Sequence, residues 1–331
     1  MRTRIPLLFT LLTVAAVVLF ALDLTVGSVA VPLREVWAAL TGGPTSAATL
    51  KIVREIRLLK AVVAVAAGAA LSVSGLQMQT LFRNPLAGPY VLGISSGASL
   101  GVALFILGAP LAGGGLLATL GPAGAAWAGS AVIIAVIAAV SRRIRDIMVI
   151  LILGMMFSSG VGAVVQMLQY LSREEALKSF VIWTMGSLGD VTADRLALLL
   201  PAVAAGLTLS VAAIKPLNLL LLGEPYARTM GLDVRRARGL IFASTTLLAG
   251  TVTAFCGPIG FIGLAVPHVA RMLFRAADHR VLLPATALLG AVVLLGCDIV
   301  SKQLTLPVNT ITALLGIPVV VWVVVRNQSI G

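Results

Sequence analysis

An all-α integral membrane fold follows from three features of this sequence. Hydrophobic residues fill 59% of its 331 positions and charged residues only 11%, and the mean hydropathy is +1.08. Soluble domains carry charge on about a quarter of their residues. Apolar runs of about 20 residues, the length a helix needs to cross hydrocarbon, recur with room for about ten spans. Gly and Pro punctuate those runs where helices end or bend. The spans fill residues 6–326, so 1–331 reads as a single transmembrane domain. The net charge of +12 is dispersed over short loops, which fits orientation by the positive-inside rule and not binding of nucleic acid. That rule places both termini in the cytoplasm.

Span 1 is predicted over 6–26. Arg2 and Arg4 before an apolar run resemble a signal peptide, but the run continues to Val26 without a clean cleavage site. Asp23 lies near its outer end. Leu33–Leu40 is amphipathic and suits the outer interface. Span 2 takes Leu58–Phe82, with Arg57 and Lys60 at its outer mouth, and stops at Arg83-Asn84-Pro85-Leu86. A residue before proline is driven out of the α region, so Asn84 must be extended. Gly88-Pro89 breaks the chain again, and Gly93, Ser96, Gly97 and Gly101 give span 3 a small-residue face for close helix approach.

Residues 108–126 are expected to form an outer loop. Span 4, 127–141, leaves at Arg142, Arg143 and Arg145. Span 5, 147–171, carries Met155, Met156, Gln166, Met167 and Gln169; methionines at this spacing read first as packing, and amides in a span are costly unless paired or wet. A short helix near Ser179–Met185 interrupts the outer loop 172–194, and span 6 runs 195–214 to Lys215-Pro216. In the next stretch Gly223 and Gly231 each end a short helix, with Pro225 at the first helical position. Asp233 can cap span 7, 234–255. Span 8, 258–275, opens with Gly257, Gly260 and Gly263 on one face, bends at Pro267 and carries His268, read as structural, with His279 in the loop beyond. Span 9, 282–300, holds Asp298 and ends at Lys302. Span 10 covers 309–325. Asp23 and Asp298, ionisable within spans, suit local pairing near the surface. The two Gly-Pro breaks lie five spans apart, as in an inverted repeat.

Cys256 and Cys297 lie in apolar surroundings without metal-ligand spacing. No GxxxxGK[ST] occurs, so the chain has no P-loop for ATP, and no HExxH suggests an intramembrane protease. Energy must come from a partner or from an ion gradient; the latter would use Asp23, Asp298 or His268.

R-x-x-K before span 2, F-R-N-P-L-A-G-P, L-G-I-S-S-G-A-S-L-G, G-P-I-G-F-I-G-L-A-V-P-H, D-H-R-V-L-L-P and the Asp298–Lys302 segment stand in an order that resembles the FecCD family of ABC importer permeases. The resemblance spans nearly the whole chain. It implies the fold of the cobalamin importer, a type II ABC importer, in a bacterial or archaeal cytoplasmic membrane, and import of an iron-siderophore, haem or cobalamin. It implies a homodimer in membrane lipid, two copies of an ABC ATPase subunit holding ATP and Mg, and a periplasmic or lipid-anchored substrate-binding protein; this chain itself would hold no cofactor or metal and would not be an enzyme. Carried over by position, Leu217, Gly223, Glu224, Arg228 and Gly231 would dock the ATPase. Asn84 and Leu86, with Asp146, Ile147 and Met148, would form an inner gate. Arg57, Lys60 and Lys302 at the outer rim would receive carboxylates of the binding protein, although Lys replaces the family's common Arg at two of them, a point charge instead of a fork. Met155, Met156, Gln166, Met167 and Gln169 would line the pathway.

Overall fold

The structure is a computed structural model that describes residues 4–27, 29–108, 116–141, 144 and 146–328. The exit at Arg142, Arg143 and Arg145 lies outside the described residues. In chain order the helices are α1 (Arg4–Thr25), α2 (Leu33–Thr41), α3 (Ala47–Lys51), α4 (Leu58–Leu81), α5 (Ile94–Ile106), α6 (Leu116–Ser141), α7 (Ile147–Leu171), α8 (Glu174–Thr184), α9 (Ala193–Ala212), α10 (Ile214–Leu220), α11 (Glu224–Thr229), α12 (Val234–Thr245), α13 (Thr251–Cys256), α14 (Ile262–Phe274), α15 (His279–Leu304) and α16 (Val308–Gln328). A π-helical segment, Ile52–Arg57, fuses α3 to α4, and another, Thr246–Gly250, fuses α12 to α13. Six helical stretches among the described residues are long and apolar enough to cross a membrane, and four shorter apolar helices accompany them.

α4 is the central element, buried along nearly its whole length. It packs mainly on α15 and α14, with α9 and α12 on its other side. Lipid tails are as apolar as leucine, so burial of apolar surface does not drive helices together in a bilayer; close van der Waals contact does. Gly68 of α4 accordingly sits against the backbone of Gly290 and Ala291, and Gly75 against the Gly263 carbonyl. Gly97 with Gly129, and Gly101 with Ala125, do the same for α5 and α6.

Both Gly-Pro breaks are present, and each is followed by a 13-residue helix, α5 and α14. The second break is longer than expected. Phe261 adopts a left-handed conformation at φ 64°, so α14 begins only at Ile262, and of the three glycines only Gly263 lies on the helix. The predicted loop 108–126 is also shorter: α6 starts at Leu116 and kinks at Gly121-Pro122, where Gly121 has φ 64° and ψ 179°. The interfacial helix α8 begins at Glu174, five residues before the expected start, and Glu224, not Pro225, is the first residue of α11. His279 belongs to the first turn of α15, not to a loop.

Any methyl at Gly75 would overlap the Gly263 carbonyl, whereas a Cβ at Gly296 meets nothing within 4 Å. Gly75→Ala should therefore destabilise the protein by about 4 kcal/mol or more, the size of a severe core lesion. Gly296→Ala should be neutral or slightly stabilising, about 0.5 kcal/mol or less. Thermal unfolding of the detergent-solubilised chain checks both.

Candidate functional site

At the end of the bundle where α4 terminates, α10 and α11 form a small platform. Leu217 and Leu220 bury one face of α10, and Ala227 anchors α11. Gly223, at φ 97°, makes the turn between them, and Gly231, at φ 82°, closes α11. The Glu224 carboxylate accepts from Arg238 Nε of α12 at 3.1 Å and lies 3.7 Å from Arg228 one turn on. Asp233 caps α12 by accepting from the Arg236 N–H. Leu222, Tyr226 and Met230 remain more than half exposed, so the platform is rigid underneath and apolar on top.

The turn after α4 lies beside it. Arg83 is left-handed, at φ 48°, and its guanidinium packs against Gly223. Asn84 Oδ1 accepts from Leu86 N at 2.9 Å, an Asx turn that fixes the extended path imposed by Pro85. Asp146 Oδ1 caps α7 by accepting from Met148 N at 2.8 Å, with Ile147 half-buried. Leu86 and Met148 point outward, 46% and 43% exposed.

Two chains of hydrogen bonds tie platform, turn and core together. Asn218 of α10 donates through Nδ2 to the Asp278 carboxylate at 2.6 Å, and its Oδ1 accepts from His279 N at 2.9 Å and His279 Nδ1 at 2.7 Å. His279 Nε2 meets Thr80 Oγ1 of α4 at 3.0 Å. Next to Thr80, Gln79 donates to the Leu264 carbonyl at 3.0 Å and accepts from Arg271 at 2.6 Å. His268 Nε2 donates to the Pro85 carbonyl at 2.7 Å. The Asp278 carboxylate, held by the Arg280 backbone N–H and then by the Asn218 amide, is shifted below the usual carboxylate range. Being lowered in the folded state, it contributes stability that is present above the ordinary carboxylate pKa and lost as pH falls through the depressed one. His268, read from the sequence as structural, thus ties α14 to the turn after α4. Gln79, Thr80, Asn218 and Asp278 were not anticipated, although polar residues in the Gln77-Met78-Gln79-Thr80 stretch of an apolar span were a visible signal.

At the opposite end the structure departs from the expectation of an accessible rim. Arg57 is only 5% exposed; it donates to the Leu24 and Thr25 carbonyls at 2.9 and 2.7 Å and also to Val29. The Leu24 and Thr25 carbonyls end α1 and Val29 lies just beyond it, so the guanidinium staples the end of α1 to the start of α4 in place of the missing next turn. Lys60 Nζ pairs with Asp298 at 2.9 Å, and Lys302 Nζ bridges Asp298 at 2.9 Å and Asp23 at 2.8 Å. Both carboxylates are fully buried, which is the local pairing expected of them. Lys60 and Lys302 also line an open cavity of about 510 Å³ with Asp190 and Ser301.

α7 is sparsely packed for a long helix, burying only Ile150, Leu151, Gly154 and Val165. Met155, Met156 and Met167 are 48%, 64% and 56% exposed, so they are not core packing within this chain; Gln166 is exposed and Gln169 half-buried.

Removing one member of a buried ion cluster strands its partners. Lys302→Met should cost about 3–5 kcal/mol, and the Lys302→Met/Asp23→Leu double variant should recover part of it by leaving the Lys60–Asp298 pair intact. Thermal unfolding in detergent measures the difference.

Residues 14–326 match the FecCD transport family. The hemin transport system permease HmuU of Yersinia pestis is 37% identical over 99% of this chain and 98% of its own length. The vitamin B12 import permease BtuC of Klebsiella pneumoniae is 37% identical over 84% of this chain and 83% of its own. A solved inward-facing transporter assigned to the metal-chelate ABC type superposes with a TM-score of 0.84 at 29% identity, covering 97% of this chain and 99% of that one. This chain is a multi-pass membrane protein of the FecCD transport family.

Proposed function

We propose that this chain is the permease subunit of an ATP-driven importer of a bulky metal chelate, of the class that includes haem, cobalamin and iron-siderophores. The observation that carries the reading is the platform: a buttressed pair of short helices with an exposed apolar top, hydrogen-bonded through Asn218, His279 and Thr80 to the central helix. Such a surface suits docking of an ATPase in a chain without a nucleotide motif of its own. Relatives that import hemin and vitamin B12 support the cargo class. The six long apolar helices and four shorter ones are compatible with ten spans in a cytoplasmic membrane, and the basic loops with both termini inside.

In this reading the chain is one domain working as a homodimer. Its exposed α7 face, with Met155, Met156, Gln166, Met167 and Gln169, faces a shared pathway. Two ATPase subunits carry ATP and Mg, and this chain needs no cofactor. Leu217, Gly223, Glu224, Arg228 and Gly231 shape the docking platform. Nucleotide binding moves it, the Asn218–His279–Thr80 chain carries that motion to the end of α4, and the segments at Asn84–Leu86 and Asp146–Met148 close while the outer side opens. A binding protein docks at the outer face. There Lys60 and Lys302 at the mouth of the 510 Å³ cavity remain candidates for its carboxylates, and Arg57 supports them from inside. Coupling to an ion gradient has no support: Asp23 and Asp298 are both paired with lysine.

Proteoliposomes containing the chain, its ATPase and its binding protein should accumulate haemin or vitamin B12 only with ATP; uptake by the chain alone would refute the reading. His279→Ala should leave ATP hydrolysis nearly intact but reduce uptake about tenfold, the size of a typical coupling loss. Gly231→Trp places bulk on the exposed side of the platform, where no neighbour stands within 4 Å. It should weaken co-purification with the ATPase without changing the thermal stability of the chain by more than about 1–2 kcal/mol.

A further inference from the structure

A second cavity, of about 290 Å³, opens between α5 and α7 in the outward half of α7 and is backed by Phe180 of α8, which is 1% exposed. Its polar lining is supplied by Ser95, Ser96 and Ser99 of α5 and Gln166 and Gln169 of α7. No charged side chain lines it. Hydroxyls in a membrane helix ordinarily satisfy themselves on a carbonyl three or four residues back. Ser158, Ser159, Thr208, Ser210, Thr246 and Thr253 all do so here. Among the described residues, Ser95, Ser96 and Ser99 do not, and neither glutamine amide has a side-chain partner. Five uncommitted hydrogen-bonding groups therefore face one recess, in a span where a lone amide is unfavourable unless something polar meets it.

The chemistry of the recess is selective. Hydroxyls and carboxamides each donate and accept, so they can pair with amide, hydroxyl or hydroxamate groups in either sense. An ionised carboxylate would leave water without meeting a cation, and an uncompensated charge is far more costly to bury than a hydrogen-bonded neutral group. Val161 and Gly162, both only half-buried, offer an apolar surface to the flat or aliphatic part of such a ligand, with Phe180 behind them. We infer that this recess is a cargo subsite on the pathway that accepts the uncharged, amide- or hydroxyl-bearing edge of a chelate in preference to a carboxylate-bearing one. The inference rests on the importer reading above and adds to it a place of contact and a preference among chelates.

Vitamin B12, with a periphery of neutral amides, and haemin, with two carboxylates, are the probes. Uptake of each by the reconstituted complex is compared between the unaltered chain and a Ser95→Ala/Ser96→Ala/Ser99→Ala/Gln166→Leu/Gln169→Leu variant, with Gly296→Ala, at a position with no neighbour within 4 Å, as control. ATP hydrolysis and thermal unfolding establish that the variant is assembled; should the fivefold variant not assemble, Ser96→Ala/Gln166→Leu replaces it. The subsite predicts that the unaltered complex prefers vitamin B12 to haemin, and that the variant loses vitamin B12 uptake about tenfold or more while Gly296→Ala does not. Unchanged vitamin B12 uptake in an assembled variant, or a preference for haemin that the variant abolishes equally, would overturn the subsite and leave the importer reading standing. Failure of the unaltered complex to move either chelate with ATP would bring down the importer reading and the subsite with it.

Discussion

Backbone-to-backbone contact at α4 is the constraint on which this structure depends. Gly68 and Gly75 bring α4 against Gly290 of α15 and Gly263 of α14 without intervening side chains. In lipid this closeness replaces the hydrophobic drive that assembles soluble cores. It also sets the register of every polar contact along α4. Only with the helices this near do Gln79 and Thr80 reach Leu264, Arg271 and His279 at one end, and Lys60 and Arg57 reach Asp298 and the end of α1 at the other.

Those two ends have different chemistry. The end holding Lys60, Lys302, Asp23 and Asp298 is an ion cluster of balanced charge; its buried carboxylates share one bridging lysine, and it joins α1, α4 and α15. Such a cluster is costly to disassemble, so it suits a fixed joint. The end holding Gln79, Thr80, His268 and His279 is made mostly of neutral hydrogen bonds, individually worth about 1 kcal/mol. Bonds of that size can be exchanged during a cycle. In the proposed transport cycle, α4 is held at one end and moved at the other, which is what a lever between an ATPase platform and a gate requires.

Much of this could be read from residue order. Apolar length placed α1, α4, α7, α9, α12–α13, α15 and α16 within a few residues, because hydrocarbon imposes a minimum span. Proline and glycine located the Asn84 turn and the platform, where local sterics dominate. Boundaries failed where tertiary contacts decide them: Phe261 is left-handed inside a segment that reads as helix, and helical turns flank the non-helical Gly121 inside a segment that reads as loop. At the site, family position identified Arg57, Lys60 and Lys302 as a group at one end. Only the fold shows that the aspartates 23 and 298 consume much of their charge, since the partners of Lys302 at Asp23 and Asp298 come from opposite ends of the chain. The Asn218–His279–Thr80 chain was illegible for the same reason: its members lie far apart in sequence, and each alone reads as an ordinary capping or packing residue.

The most direct measurement is a distance. Spin labels on Leu86→Cys in both copies of the chain in the proposed homodimeric complex with its ATPase, read by pulsed electron resonance with and without nucleotide, report whether the turn after α4 follows the ATPase. The account predicts a nucleotide-dependent change in that distance which Asn218→Ala abolishes while ATP hydrolysis persists. The same change in the Asn218→Ala complex would show that motion reaches the gate by another route and would contradict the account.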